Sequence, residues 1–159
     1  MAEHALFQLG MDLEDPSTAQ ADTPKGEYVA GLDDERQDFF IVKDGVTCAG
    51  THLIIDLHGA EGLDDIGLVD RALRKCVDEA NATLLHIHLH HFTPNAGISG
   101  VAVLAESHIS IHTWPERNYA ALDVFMCGAA EPERCVAVLE EAFRPDRIEV
   151  DRLLRGQGA

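Results

Sequence analysis

Basic residues are scarce: 12 lysines and arginines stand against 28 aspartates and glutamates, a formal net charge of −16 in 159 residues. Phosphate contacts need a basic surface, so the imbalance argues against a nucleic-acid partner. It leaves an acidic, solvated exterior that favours solubility. Long apolar runs are missing too, because charged residues interrupt every stretch before the ~20 residues that a membrane span needs. The start, MAEHALFQLGMDLED, has neither the basic beginning nor the apolar core of a secretion signal, and a cytoplasmic protein is expected. Cys48, Cys76, Cys127 and Cys135 show no CxxC spacing, which points to reduced thiols rather than a disulfide framework. There is no internal repeat.

Two regions differ in character. Residues 1–49 form an acidic extension, with eleven acidic and three basic residues between Met1 and Asp44. The stretch DLEDPSTAQADTPKGE has the composition of a mobile tail, and Phe39 to Val42 could add a short strand or dock on the body. Residues 50–159 are regular. THLIIDLHG reads as a buried strand. A helix is predicted from about Asp65 to Ala80, with Ile66, Val69, Ala72, Leu73, Cys76, Val77 and Ala80 on one face. TLLHIHLHHF alternates as a strand with one covered face does. VAVLAES, HISIHTW and NYAALDVFMC follow as strands, then a helix from about Pro132 to Phe143, then IEVDRLL as a closing strand. Strands cluster while only two helices interrupt, so the expected class is α+β: an antiparallel sheet with two helices on one face. The uncovered face would need a partner, and pairing as a dimer into an αββα sandwich is expected.

The chemistry concentrates in residues 99–128, SGVAVLAESHISIHTWPERNYAALDVFMCG. On one continuous strand His108, Ser110, His112 and Trp114 share a face and Ser107 points the other way, so a plain Ser–His pair there is badly aimed. The G-x-S-x-G elbow of serine hydrolases is also missing. Taken singly, Ser107 reads as a strand serine, His112 as a structural histidine, Cys127 and Trp114 as packing, and Asp123 as a local hydrogen-bond acceptor. His86, His88 and His90 share a strand face beside His91; His-x-His can bind zinc, yet no cysteine or carboxylate completes a ligand set nearby, and a partly exposed sheet face is favoured.

Taken together, the segment resembles the signature of bacterial and archaeal S-adenosylmethionine decarboxylase proenzymes. The matching residues are Ser99-Gly100, Glu106-Ser107-His108, Ile111-His112-Thr113-Trp114-Pro115-Glu116, Tyr119-Ala120-Ala121, Asp123, Phe125 and Cys127-Gly128. Upstream, Gly50-Thr51-His52-Leu53 and Leu63-Asp64-Asp65 also fit, so the likeness runs over about residues 50–155.

The resemblance implies self-cleavage between Glu106 and Ser107 into chains of residues 1–106 and 107–159, with Ser107 becoming a pyruvoyl group that forms a Schiff base with the substrate amine. Neither pyridoxal phosphate nor a metal is then required, since the protein-derived ketone is the electron sink. By the same resemblance Ser99 and His112 assist processing, His112 as proton acceptor, and Cys127 donates a proton in decarboxylation. Phe92 resembles the family's aromatic that stacks on adenine, and Glu116 resembles the carboxylate that holds the ribose hydroxyls. The implied substrate is S-adenosylmethionine, giving the aminopropyl donor of spermidine synthesis in a homodimer of cleaved protomers. The chain also departs from the family pattern. The turn from Phe92 to Ser99 is one residue longer, Arg117-Asn118 replaces Tyr-Gly, and Met126 stands where threonine is common. The first two flank the expected substrate pocket and keep open a basic amino acid, arginine or ornithine, as substrate. An unprocessed binding or regulatory homologue is the third reading.

Overall fold

The computed structural model describes residues 40–93 and 97–158. Most of the acidic extension, residues 1–39, lies outside the described residues, as do 94–96 in the long turn.

Two short strands, β1 (Ile41–Lys43) and β2 (Val46–Cys48), pair as a hairpin. Its two-residue loop is Asp44-Gly45 at φ +54° and +79°, the left-handed geometry that matches strand twist. Lys43 Nζ donates to Thr51 Oγ1 at 3.3 Å and to Glu133, and Arg152 reaches Asp44 at 3.2 Å, which ties the hairpin to the body.

The main sheet holds β3 (Gly50–His58), β4 (Leu84–His91), β5 (Ile98–Leu104), β6 (Ser107–Trp114), β7 (Tyr119–Cys127) and β8 (Arg147–Arg155). Their spatial order is β4-β5-β6-β7-β3-β8, every neighbour antiparallel. Helices α1 (Ile66–Glu79) and α2 (Arg134–Phe143) supply the apolar cover of one face. Asp65 caps α1, its carboxylate accepting from Leu68 N–H at 3.0 Å. The expected α+β arrangement, two helices on one face of an antiparallel sheet, is the one found.

Alternation decides which side chains meet the helices. Leu53, Ile55 and Leu57 of β3, Ile109 and Ile111 of β6, and Leu122, Val124 and Met126 of β7 are buried against Val69, Leu73, Cys76, Val77, Cys135, Leu139 and Phe143. Each such side chain contributes roughly 1.5–3 kcal/mol relative to exposure. The opposite face has no cover from the described residues. There Ile54, Val103, Trp114 and Leu153 stand 39–45% exposed.

Two boundaries and one burial differ from expectation. The strand VAVLAES ends at Leu104 and a new strand starts at Ser107. α2 begins at Arg134, not Pro132, because Arg134 and Cys135 N–H bond three residues back, to Glu131 and Pro132 carbonyls, in a tighter turn. Ile66 is exposed at the first turn of α1, while the rest of its predicted stripe is buried. No helix among the described residues is long and apolar enough to cross a membrane.

Candidate active site

Leu104 and Ser107 are paired across β5 and β6, which leaves Ala105 and Glu106 as a two-residue loop. Ala105 N–H donates to Thr83 O at 2.9 Å and pins it. Glu106 sits at φ +59°. The β1–β2 loop meets the same demand with Asp-Gly, residues suited to it. A glutamate meets it at a cost of about 1–2 kcal/mol, because its β-carbon crowds the following carbonyl. The strained residue is the first member of the bond expected to break.

Ser107 opens β6 with its side chain on the helix side of the sheet, 8% exposed. Its Oγ accepts a hydrogen bond from Cys127 N–H at 3.1 Å. Cys127 ends β7, pairs with Gly50, and is half-buried. A β-carbon on Gly50 would lie 2.4 Å from the Met126 carbonyl oxygen, so only glycine lets β3 pass this close beside the thiol. Burial pushes the Cys127 thiol above the ordinary range, and the nearby Glu106 charge pushes it further. Both causes disfavour the thiolate. The thiol is therefore held in its protonated form at neutral pH.

Ser99 and His112 face each other across β5 and β6, with Oγ and Nδ1 2.8 Å apart. They lie on the helix-free face. Phe92, just past β4, meets His90 edge-on at 4.5 Å between ring centroids. Glu116 is exposed in the 3₁₀ turn Pro115–Arg117 that follows β6. These four belong to one end of the sheet. Glu106, Ser107 and Cys127 belong to the other. Five residues of extended strand separate His112 from Ser107, about 16 Å, and the two side chains leave opposite faces. One chain thus brings the predicted residues together as two half-sites, not one.

The helix-free face also carries a polar chain that residue spacing did not single out. Arg155 Nη1 donates to His52 Nδ1 at 3.1 Å; a guanidinium can only donate, so the His52 proton resides on Nε2. That Nε2 lies 3.3 Å from Asp123 Oδ1, and Ser110 Oγ donates to Asp123 Oδ2 at 2.9 Å. The His52 ring packs 5.9 Å from Phe125 and 6.4 Å from His108, the residue after Ser107. Strand alternation could have put His52 on this face; nothing in the spacing marks Arg155, which arrives on β8. Further along, Tyr119 donates to Asp56, which with burial pushes the phenol up to about 12, and Trp114 stacks on Tyr119 at 5.3 Å. Thr113 Oγ1 accepts from Ile98 N–H and donates to Leu63 O, each at 2.8 Å, and so fixes the strand end that presents Ser99 and His112. Among the described residues no three His, Cys, Asp or Glu side chains converge as a metal-ligand set.

The family model described as S-adenosylmethionine decarboxylase matches residues 51–156. A relative from Thermomicrobium roseum named S-adenosylmethionine decarboxylase proenzyme is 47% identical over 108 residues, 67% of this chain and 93% of the relative. A Methanococcus vannielii protein of the same name is 47% identical over 110 residues, covering 67% and 89%. The crystal structure of the adenosylmethionine decarboxylase from Aquifex aeolicus superposes with a TM-score of 0.62 at 35% identity, over 69% of this chain and 92% of that one. A likeness of this length, in sequence and in fold, means that the chain belongs to the S-adenosylmethionine decarboxylase family.

Proposed function

We propose that this chain is a proenzyme that breaks its own Glu106–Ser107 bond and then decarboxylates S-adenosylmethionine, supplying the aminopropyl donor for polyamine synthesis. The observation that carries the reading is a left-handed Glu106 directly before a buried Ser107 whose Oγ is held by Cys127 N–H. In the first step Ser107 Oγ bonds to the Glu106 carbonyl carbon, the C–N bond breaks, and the proton passes to the Ser107 nitrogen. The peptide becomes an ester, and the backbone strain favours that exchange. In the second, a base takes the Ser107 α-proton, the Cβ–O bond breaks, and Glu106 leaves as a carboxylate ending residues 1–106. Loss of the nitrogen as ammonia, with water supplying the oxygen, leaves a pyruvoyl group opening residues 107–159. The decarboxylase domain on this reading is residues 50–159.

A pyruvoyl group supplies a ketone next to an amide, able to take up the electron pair that departing carbon dioxide leaves. Cys127, kept protonated, then returns a proton to the substrate α-carbon. Phe92 offers a ring face for adenine and Glu116 a carboxylate for the ribose hydroxyls.

The two half-sites need a second copy. His112 is the assigned base, yet in its own chain it lies about 16 Å along the strand from Ser107. A two-fold axis lying between two stacked helix-free faces, and running across the strands, reverses strand direction from copy to copy. It lays the Ser99–His112 end of one copy over the Ser107–Cys127 end of the other. Six strands at ~4.8 Å and eight intervals of ~3.3 Å give a face of roughly 750 Å² per copy. That is close to the ~800 Å² per partner of a stable interface.

Intact-mass analysis tests the processing. Fragments 1–106 and 107–159 are expected, the second blocked to Edman chemistry, whereas one uncut chain after long incubation overturns the enzyme reading. Carboxyl-labelled S-adenosylmethionine, arginine and ornithine, offered separately, then report the substrate through released carbon dioxide. Release from arginine or ornithine alone would move the assignment to a basic amino acid.

A further inference from the structure

Seven of the chain's nine histidines lie on the helix-free face: His52 and His58 on β3, His86, His88 and His90 on β4, and His108 and His112 on β6. The three on β4 form a ladder along an edge strand, all exposed. On this face their β5 neighbours are Val103, Val101 and Ser99, none of which ionises. Helix α1 packs on the other side of the sheet, behind Ile87 and Leu89. His91, next along β4, leaves the other face, and the next ionisable groups on this face are His108 and His112, two strands away. The carboxylates of the face, Asp56, Asp123, Glu149 and Asp151, and its guanidiniums, Arg147 and Arg155, all stand on β7, β3 and β8. The nearest of them is three strand spacings from β4, about 14 Å, beyond the ~8 Å over which charges interact in physiological salt.

Protonation changes the sign of the whole face. Four carboxylates and two guanidiniums give −2 with the histidines neutral; seven imidazolium charges make it +5. Two facing copies then oppose five charges to five. The ladder feels this most, because a two-fold axis running across the strands lays β4 on β4. Six imidazoles from two copies meet across the ~10 Å between stacked sheets with no carboxylate among them.

We propose that this histidine ladder gates the pairing of two copies by protonation: the dimer forms while the imidazoles are neutral and separates as they ionise. The inference rests on the paired arrangement above and adds what controls it. Histidine is the side chain that ordinarily changes charge between about pH 5 and 8. Burial at an interface disfavours the charged form, so association is complete above that range and is lost as pH falls through it. The direction is diagnostic. Acidification shrinks the chain's overall charge of −16, which by itself would strengthen association.

Sedimentation velocity on the full-length protein decides it, at about pH 8 and about pH 5.5 with EDTA present, for the wild type and the double variant His86→Gln/His88→Gln. Neither histidine has a place in the catalytic machinery. A dimer preference of about threefold per neutral imidazole, at two histidines in each of two copies, multiplies to about 80-fold in Kd. The wild type is expected to pair at the higher pH and to weaken on acidification. The variant is expected to bind about 80-fold tighter than the wild type at the lower pH, and as tightly at the higher. Equal wild-type Kd at both pH values would overturn the gating and leave the pairing intact. A wild-type monomer at the higher pH would overturn the pairing itself, and the gating with it. Equal weakening of variant and wild type would show that the ladder is not the sensor.

Discussion

Strain at Glu106 can be removed without touching the nucleophile. A residue with a β-carbon at φ +59° costs about 1–2 kcal/mol, and glycine carries none of that cost. If the strain is released as the 106–107 linkage becomes an ester, Glu106→Gly loses that assistance. At 1.36 kcal/mol per tenfold, processing should slow about 5- to 30-fold. Glu106→Gln is the necessary control, since it removes the same negative charge and keeps the β-carbon. Glu106→Asn should fall between the two, because asparagine tolerates the left-handed region better than glutamine. The assay is a pulse of cell-free synthesis, quenched at intervals, with full-length and cleaved chains measured by intact mass. A thermodynamic check uses Ser107→Ala, which cannot cleave. In that background Glu106→Gly should gain the 1–2 kcal/mol, less the roughly 0.5–1 kcal/mol that glycine's greater freedom costs on folding. Cleavage of the glycine variant as fast as the glutamine variant would refute the idea that the turn drives the reaction.

The same turn marks where sequence reasoning stops working. Helices and strands were legible because their periods are plain: alternation through TLLHIHLHHF and a 3.6-residue stripe from Val69 to Ala80. The strand VAVLAES was expected to run on to Ser107, since Ala105 and Glu106 carry no turn signal; neither is Gly, Pro, Asn or Asp. The chain turns there because Leu104 and Ser107 must pair and Thr83 anchors Ala105, not because the loop residues prefer it. Local preference loses to tertiary pairing at one strained position, which is where function is expected to sit. At the candidate site, alternation alone set Ser107 and His112 on opposite faces. Their division into two half-sites became visible only from the sheet order, and the Arg155–His52–Asp123 chain only from β8 closing beside β3.

The remaining predictions test single groups. Cys127→Ala should still cleave at least in part, since Ser107 is met by the backbone N–H of that residue, but should lose ~10²–10⁴ in decarboxylation; wild-type turnover with no faster inactivation would show that the acid is another group. Because burial and then Glu106 both push the thiol up, the alkaline limb of turnover should lie above the ordinary thiol value of about 8.5, and Glu106→Gln should move it downward. Mixed dimers give the decisive test of the divided site. Ser107→Ala cannot cleave itself but keeps an intact Ser99–His112 end, while His112→Ala keeps Ser107 and lacks the base. If the base acts across the interface, co-expressing the two lets the His112→Ala chain be cut by its neighbour's histidine, and only that chain should yield fragments. Each variant expressed alone should stay uncut or cleave far more slowly. A His112→Ala chain that remains intact beside a folded Ser107→Ala partner in a mixed dimer would return His112 to its own chain, against the 16 Å that the extended strand sets between them.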